Sequence, residues 1–362
     1  MKRYLPFIYC LIFLLPLLVG CGNKFDIAQL NSSSGSANIG GDTVYIPINP
    51  TWTGFNKPED IIIGREPFIF VADTYNDRVV MMNLNGDILG TRNIKRPVAL
   101  AEDYKLNLIV CAELDTVVNG QTQTYGAVYK INLFAAQHQI GEAPITKLLP
   151  RPVDLNYPQR RYTGVCVFYN NTYYVSRTGP NNSSFIDPDN SILYFSPKKL
   201  VGGGEGDTLL GRVPNIDPIS SGLVSAYQIS SLTSFNKKNI DFLETLTGNN
   251  SLKTQWLTYV VTPVSADYEA KLTPSNGGAL MTPGRFSQPE GSCIDDADNI
   301  YIADAQKDSV YKFNSLGDEL QSFGGPSVFN GPYAVAYFDG ILYVADTGND
   351  RILRFQLSTN LK

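Results

Sequence analysis

The segment from residue 68 to residue 78, FIFVADTYNDR, recurs twice near the C-terminus of this 362-residue chain. The later copies are residues 299–309, NIYIADAQKDS, and residues 341–351, ILYVADTGNDR. Each copy begins with β-branched and aromatic residues and ends in polar residues, a pattern that predicts a strand followed by a tight turn. The repetition predicts that one structural unit occurs several times along the chain.

Each copy has a fixed place in a longer unit. A Phe-x-x-Pro segment precedes it, at residues 55–58, 286–289 and 329–332, and the spacing from that phenylalanine to the aspartate of the copy is 18, 18 and 17 positions. Another apolar strand follows each copy, and in the first two units a Gly-Asp turn leads to a fourth strand. The last two units start 43 residues apart, and four short strands in about 40–45 residues are the unit of a propeller blade.

These segments resemble the NHL-repeat family, whose signature V-A-D-T-x-N-x-R-I is matched closely by two of the three copies. The resemblance covers residues 53–96 and 284–357 and implies an all-β fold, a β-propeller of NHL type. It is specific for the fold and says little about function. We interpret the repeated polar side chains as structural, because Asp and Asn accept hydrogen bonds from turn N–H groups and Arg can pair with a carboxylate. They are Asp73, Asn76, Arg78, Asp304 in the weaker copy, Asp346, Asn349 and Arg351.

The middle of the chain has diverged from the repeat. Short strands separated by turn residues predict further blades over residues 97–150, 162–213 and 223–272, which makes six four-stranded blades in all. Five or seven blades remain alternatives because the 223–272 unit carries no signature, and its residues 242–246 could form one helical turn. The last blade lacks a fourth strand, so we expect the N-terminal residues 43–48 to close the ring as its outer strand.

The N-terminus resembles the signal peptide of a bacterial lipoprotein. Two basic residues precede the apolar segment 4–18, which is too short and too rich in proline for a stable membrane span. The following Leu-Val-Gly-Cys resembles a lipobox and ends at Cys21. We therefore expect a signal peptide (1–20), a lipidated Cys21 with a flexible Asn/Ser/Gly-rich tether (21–41), and one propeller domain (42–362). The resemblance implies palmitate on Cys21 and a location in the bacterial cell envelope, at the outer membrane since Gly22 follows the cysteine.

Composition narrows the functional classes. Lys and Arg total 29 against 34 Asp and Glu, and without a basic run nucleic acid is not expected as a partner. His138 is the single histidine, so histidine-based catalysis loses most of its support, and we predict a surface turn without a catalytic role there. Cys111, Cys166 and Cys293 lie in apolar runs and are expected to be buried free thiols, with one disulfide as the alternative.

Two oxygen-rich segments are weak candidates for calcium. Asp295, Asp296 and Asp298 lie in the first, and the second spans residues 187–190. Both lack the EF-hand pattern, so a turn is the favoured interpretation and no cofactor is expected, with calcium as the alternative.

These observations predict a membrane-anchored binding or scaffold module without catalytic residues, whose partner is an envelope protein, a peptide or a glycan. Insertions around residues 115–125, 178–190 and 201–222 are expected to be recognition loops. The alternative is a calcium-dependent hydrolase of the lactonase or esterase kind, because related six-bladed propellers include such enzymes.

Overall fold

The computed structural model describes residues 44–199, 205–220, 222–235, 237–249 and 252–358. In these residues, 24 strands form six four-stranded antiparallel sheets, which confirms the prediction of a six-bladed β-propeller. The predicted signal peptide and the lipidated tether lie outside the described residues. Within the described part of the chain, no helix has the length and apolar character that a membrane span requires.

The first three blades follow the order of the chain. Blade 1 comprises β2 (Pro58–Ile63), β3 (Ile69–Asp73), β4 (Arg78–Met82) and β5 (Ile88–Asn93). Blade 2 comprises β6 (Ala99–Glu102), β7 (Asn107–Val118), β8 (Gln121–Asn132) and β9 (Ile145–Leu149). Blade 3 comprises β10 (Arg161–Val167), β11 (Tyr173–Thr178), β12 (Ser191–Lys199) and β13 (Glu205–Arg212).

The last three blades complete the ring. Blade 4 comprises β14 (Ile229–Ser234), β15 (Phe242–Leu246), β16 (Thr254–Val261) and β17 (Ala266–Ala270). Blade 5 comprises β18 (Pro289–Ile294), β19 (Ile300–Asp304), β20 (Ser309–Phe313) and β21 (Glu319–Gly324). Blade 6 comprises β22 (Pro332–Phe338), β23 (Ile341–Asp346), β24 (Arg351–Leu357) and the N-terminal β1 (Tyr45–Trp52). Short 3-10 turns occupy Thr74–Asn76, Phe134–Ala136, Pro152–Asn156, Gly278–Met281, Ala305–Lys307 and Thr347–Asn349.

The first strand of each blade lies innermost, and residues of all six inner strands line a central channel. We call the side where the inner strands begin the mouth face and the side where they end the base. The repeated Asp-Thr turns lie on the mouth face, because Asp73 pairs with Pro58 at the start of its inner strand. The two faces therefore carry different connections and different side chains.

Blades pack on each other through alternate residues of their middle strands. In β3, Phe70 and Ala72 pack in a cluster with blade 2, whereas Ile69 and Val71 pack in a cluster with blade 6. All four side chains are fully buried, so both faces of the strand are covered and the sequence is apolar at every position. Each fully buried side chain of this size contributes about 1.5–3 kcal/mol relative to exposure.

The N-terminal strand closes the ring as predicted. β1 pairs antiparallel with β24, from Tyr45 opposite Leu357 to Trp52 opposite Ile352. This pairing completes blade 6, which would otherwise have three strands and leave β24 as an open edge. Val44, the first described residue, consequently lies at the base, where β24 ends.

Three local predictions were wrong. Residues 242–246 are the strand β15, because they pair on one side with β14 and on the other with β16, and tertiary pairing overrides a short helical pattern. Residues 115–125 are an extension of the β7–β8 hairpin, in which Asn107–Val118 pairs continuously with Gln121–Asn132. The predicted 201–222 loop includes the outer strand β13, while residues 201–204 and 221 lie outside the described part.

The first Asp of the repeated turn organises its own blade. The Asp73 carboxylate accepts hydrogen bonds from the backbone N–H of Asn56 at 2.7 Å, the Asn76 amide at 2.9 Å and the Arg78 guanidinium at 2.6 Å. Asp346 has the same three types of donor, supplied by Asn330, Asn349 and Arg351. In the weaker copy, Asp304 accepts only backbone N–H groups, those of Ser287, Gln288 and Lys307.

Other residues of the same turn bind the next blade. The Thr74 hydroxyl donates to the Pro97 carbonyl at 2.7 Å, and the Thr347 hydroxyl donates to the Pro58 carbonyl at 2.6 Å. The carboxylate of the second Asp of the motif also accepts a hydrogen bond from a backbone N–H outside its own blade. The acceptor and donor pairs are Asp77 with Arg96, Asp308 with Gly331, and Asp350 with Lys57. The motif therefore fastens blade 6 to blade 1, blade 1 to blade 2, and blade 5 to blade 6.

Glu244 is a fully buried acid in the middle of β15. Phe242 and Leu246, two positions before and after it, lie on the same face of the strand and belong to the apolar cluster between blades 3 and 4. Neither carboxyl oxygen has a hydrogen-bond partner among the described residues. Burial therefore raises its pKa well above the ordinary value of 4.5.

The contribution of the turn threonines to the contact between neighbouring blades can be tested by mutation. Thr347→Val keeps the shape of the side chain but leaves the buried Pro58 carbonyl without its hydroxyl donor. We expect the free energy of unfolding to fall by about 1–2 kcal/mol, measured by urea denaturation. Thr146→Val, at an exposed position of β9, is the matched control and should leave stability unchanged within about 0.5 kcal/mol. Equal stability of the two variants would contradict the fastening role.

The buried Glu244 predicts a specific pH dependence of stability. Because its folded pKa is raised, its contribution is complete below the unfolded value of 4.5 and is lost as pH rises toward the folded pKa. Relative to Glu244→Gln, the wild type should lose unfolding free energy as pH rises above about 5, with a limiting slope of about 1.4 kcal/mol for each pH unit until the folded pKa is reached. Glu269→Gln, at an exposed position of β17, should track the wild type. A constant difference between wild type and Glu244→Gln would show that Glu244 is ionised.

Candidate functional site

A β-bulge occurs near the start of the inner strand in five of the six blades. In each of these blades the register between the inner strand and the second strand shifts by one residue, and one residue of the inner strand is left without a partner in the second strand. A bulge of this kind re-aims a side chain away from the regular sheet. The five bulge residues are Glu59, Thr163, Ser230, Glu290 and Tyr333.

The bulge residues converge at the channel opening. Together with Val98, which directly precedes the inner strand of blade 2, they line both a cavity of about 540 Å³ at the mouth face and a channel cavity of about 670 Å³. We call these six residues the mouth ring. One residue from each blade therefore surrounds the place where a ligand would enter.

Polar groups are unevenly distributed around the mouth ring. Glu290, Tyr333 and Glu59 come from blades 5, 6 and 1, which are consecutive around the ring. The hydroxyls of Thr163 and Ser230 on the other side donate to backbone carbonyls of neighbouring blades, those of Ile229 and Pro289. The unengaged acceptors of the ring are therefore concentrated on the side with the carboxylates.

The two glutamates are shielded from water without a cation bound to them. Desolvation by burial raises the pKa of Glu59 to about 7 and that of Glu290 to about 7. Arg96 opposes the shift of Glu59, and a hydrogen bond from Gln288 opposes that of Glu290. Among the described residues, no Lys or Arg forms an ion pair with either carboxylate. Both groups therefore change charge near neutral pH.

Residues of blades 2 and 3 form one side of the mouth cavity. The extended β7–β8 hairpin contributes Glu113, which lies 3.4 Å from the guanidinium of Arg161. Residues 178–180 of the loop after β11 and Arg96 of blade 1 complete this side of the cavity. The predicted recognition segment 178–190 therefore lines the mouth cavity through residues 178–180, whereas 115–125 is the tip of the hairpin whose residues 112 and 113 line it.

The loop after β11 is held rigid by buried charges. Arg160 donates to Asp189 at 2.7 Å and to Asp187 at 2.9 Å, and Arg177 donates to Asp187 at 2.5 Å. Arg160, Arg177 and Asp189 are all buried. This is the segment 187–190 for which calcium was the alternative, and guanidinium groups lie where a metal ion would have to bind.

The other calcium candidates lie at the base of blade 5. The Asp295 carboxylate accepts the turn N–H groups of Ala297 and Asn299, and the Tyr301 hydroxyl at 3.0 Å. Asp298 forms an ion pair with Lys237, and Asp296 is exposed at the base end of the channel. Over the described ranges, no three His, Cys, Asp or Glu residues are grouped so as to hold a metal ion.

The remaining candidates lie away from the mouth ring. His138 occupies a turn after β8 with its Nε2 at 3.0 Å from the Glu66 carboxylate. Cys111, Cys166 and Cys293 are free thiols, and burial raises the pKa of each. They therefore lack the thiolate character that a nucleophile requires.

The mouth ring was not predicted from sequence, although one signal was present. In the three clear repeats, the residue after the proline of Phe-x-x-Pro is Glu59, Glu290 or Tyr333. A glutamate directly after this proline in two of the three repeats indicates a functional position, because charged residues are rarely buried without a partner.

Comparisons with known proteins establish the fold alone. No family model and no curated protein matches the sequence. Among solved structures, an auxiliary nutrient binding protein from Bacteroides thetaiotaomicron is similar, with 10% identity, a TM-score of 0.56, and coverage of 84% of this chain and 70% of that chain. A gluconolactonase from Xanthomonas campestris shares 13% identity with a TM-score of 0.55, covering 84% of this chain and 87% of that chain. A protein of unknown function from Bacteroides thetaiotaomicron shares 15% identity with a TM-score of 0.53, covering 86% of this chain and 72% of that chain. These six-bladed propellers include a binding protein and an enzyme, so the shared fold does not choose between those functions.

Proposed function

We propose that this chain is a lipid-anchored binding module with an NHL-type propeller, whose mouth ring holds a polar group of an envelope protein, peptide or glycan without catalysing a reaction. The observation that carries the proposal is the pair Glu59 and Glu290, two largely buried carboxylates that have no cationic partner in the described residues. Removing a carboxylate from water is unfavourable unless hydrogen bonds or charges replace the water. A ligand that donates such groups would offset this cost.

The surroundings of the ring favour binding over chemistry. Thr163 and Ser230, the aliphatic hydroxyl residues of the ring, donate to carbonyl oxygens, so no general base activates them. The single histidine lies in a turn at the end of β8, where it contacts Glu66. Within the described residues, neither these two hydroxyls nor the histidine is therefore arranged with a general base at the mouth.

Rigid walls also support recognition. The buried Arg160–Asp189 contact orders the loop after β11, and the continuous β7–β8 ladder orders the extended hairpin, so both segments are preformed before a ligand binds. A preformed surface loses less conformational freedom on binding, which favours affinity. Side chains on these segments would extend the contact beyond the ring.

Membrane attachment is part of the proposal. It rests on the resemblance of residues 1–21 to a lipoprotein signal peptide and lipobox, and it places the protein in the bacterial cell envelope, at the outer membrane, with an acyl chain on Cys21. The described part of the propeller begins with Val44, which lies at the base.

The alternative function is a calcium-dependent hydrolase, and it rests on the fold shared with a gluconolactonase. Calcium takes six to eight oxygen ligands, several of them commonly carboxylates. The described carboxylates of the mouth ring are Glu59 and Glu290 alone. This donor set fits calcium less well than it fits a donating organic group, and we derive no reaction from it.

A ligand screen tests the binding function. The detergent-solubilised full chain is screened against peptide and glycan arrays and assayed for lactone hydrolysis with and without calcium. We expect array ligands whose affinity falls at least about ten-fold in Glu59→Gln/Glu290→Gln, because charge-assisted hydrogen bonds are lost. Glu269→Gln, an exposed control in β17, should bind like the wild type. Calcium-dependent lactone turnover, or ligands bound equally by the double variant, would contradict the proposal.

Lipid attachment has an independent test. Metabolic labelling with palmitate in a bacterial host should mark the wild type and Cys293→Ala, which changes a cysteine inside blade 5. Cys21→Ala should remain unlabelled and leave the membrane fraction. Label on Cys21→Ala, or wild type found only in the soluble fraction, would contradict the anchor.

A further inference from the structure

Three acceptor side chains line one side of the mouth ring. Glu290, Tyr333 and Glu59 occupy the bulge position of three inner strands that pack side by side, β18 against β22 and β22 against β2. The two carboxylates are close enough for the charge of Glu290 to oppose ionisation of Glu59. Both also act on the Tyr333 phenol, whose pKa is raised. The three groups thus form one electrostatic unit at the opening of a cavity.

Nearby cations are engaged elsewhere. The Arg96 guanidinium lies 3.8 Å from the ring centroid of Tyr75, and it faces Glu113 as well as Glu59. Lys253 donates to the backbone carbonyl of Ser287. Neither side chain forms an ion pair with Glu59 or Glu290 in the described residues. These cations therefore act on the two carboxylates only at a distance, and a group from outside the described chain can form the ion pair that they do not form.

Most other buried acids in this protein have partners, and the exception, Glu244, faces the apolar cluster between blades 3 and 4. Asp73 and Asp346 each bind an Arg and Asp189 binds Arg160, while Asp60 accepts two backbone N–H groups, those of Leu100 and Ile61. Glu59 differs, because its carboxylate accepts no hydrogen bond from a described residue. Its bulge directs it toward the cavity instead of toward the next blade.

We propose that the mouth binds a primary ammonium group, held between the carboxylates of Glu59 and Glu290 and against the side chain of Tyr333; this rests on the proposed binding function. An ammonium group has three N–H donors, which matches two carboxylates and one phenol oxygen. The tyrosine ring adds a cation–π contribution. A planar guanidinium would need one carboxylate in a bidentate geometry, whereas these two carboxylates come from blades 1 and 5.

The proposal predicts that acid weakens binding. The carboxylates must be ionised to hold an ammonium group, and burial raises the pKa of each to about 7. Arg96 and Lys253 lower these values, whereas Glu113 and Asp304 raise them, as does the mutual repulsion of the two glutamates seen at Glu59. Affinity should fall as pH drops below about pH 7, by up to about ten-fold per pH unit for each carboxylate that must be ionised, and binding at neutral pH should release protons.

Two chemical sources can supply the ammonium group, a peptide and an amino sugar. Isothermal titration calorimetry of the detergent-solubilised full chain would compare trilysine with its fully acetylated form, and a glucosamine trimer with its N-acetylated form. We expect one amine of the two pairs to bind and its acetylated form to bind at least about ten-fold more weakly. The pair that responds identifies the source.

Variants locate the site. Glu59→Gln and Glu290→Gln should each weaken amine binding at least about ten-fold, and Tyr333→Leu by a smaller factor. Glu269→Gln removes the same charge from an exposed position and should bind like the wild type, which controls for general attraction to an acidic protein.

The outcomes separate this inference from the proposed function. If the acetylated forms bind as well as the amines, or if the three variants bind amines like the wild type, the ammonium site is wrong. If neither amine binds while array ligands still require Glu59 and Glu290, the ammonium site is wrong and the binding function stands. If no amine and no array ligand binds the wild type, both are wrong.

Discussion

Each blade of this propeller must bury both of its faces, and this constraint requires a closed ring. The middle strand of blade 1 places Phe70 against blade 2 and Val71 against blade 6, and neither side chain could be buried in an isolated blade. Pairing of β1 with β24 completes the last blade and removes the open edge of β24. The motif turns then fasten neighbouring blades through threonine hydroxyls and aspartate carboxylates. Hydrophobic packing thus accounts for the stability of the ring, and the polar turns set the register between blades.

A rigid ring leaves a defined place for function. Because the blades are fastened at their mouth face, the start of each inner strand has little freedom to move, and a bulge at that point can aim one side chain into the channel. Five blades use such a bulge, and chemistry differs among them: carboxylates from blades 1 and 5, a phenol from blade 6, and hydroxyls engaged with carbonyls from blades 3 and 4. Because the bulge position holds a different residue type in different blades, the site is asymmetric although the six blades have nearly the same fold.

The repeated Ala-Asp-Thr turns were sufficient to predict the fold, since each residue of that motif has a local or nearest-blade role. The six blades and the closing strand followed from counting strands between turns. The long β7–β8 hairpin was missed because residues 121–125 are mostly polar, and its pairing depends on the facing strand. The Arg160–Asp189 contact joins residues 29 positions apart, and sequence patterns do not reveal such a pair. The mouth ring depends on register shifts, which are set by tertiary pairing; the Glu after Pro58 and Pro289 was its only trace in the sequence.

The proposed binding function requires that the ligand be bound at the mouth ring. Carboxyl footprinting tests this directly. Acids that the reagent can reach, which include Glu59 and Glu290 because both line the mouth cavity, are labelled with a carbodiimide and an amine in the presence and absence of a ligand from the array screen, and labelling is quantified by mass spectrometry for each residue. The account predicts that Glu59 and Glu290 are protected by the ligand while Glu269 is labelled equally in both conditions. Protection confined to acids at the base, such as Asp296, or at the rim, with Glu59 and Glu290 unchanged, would contradict it.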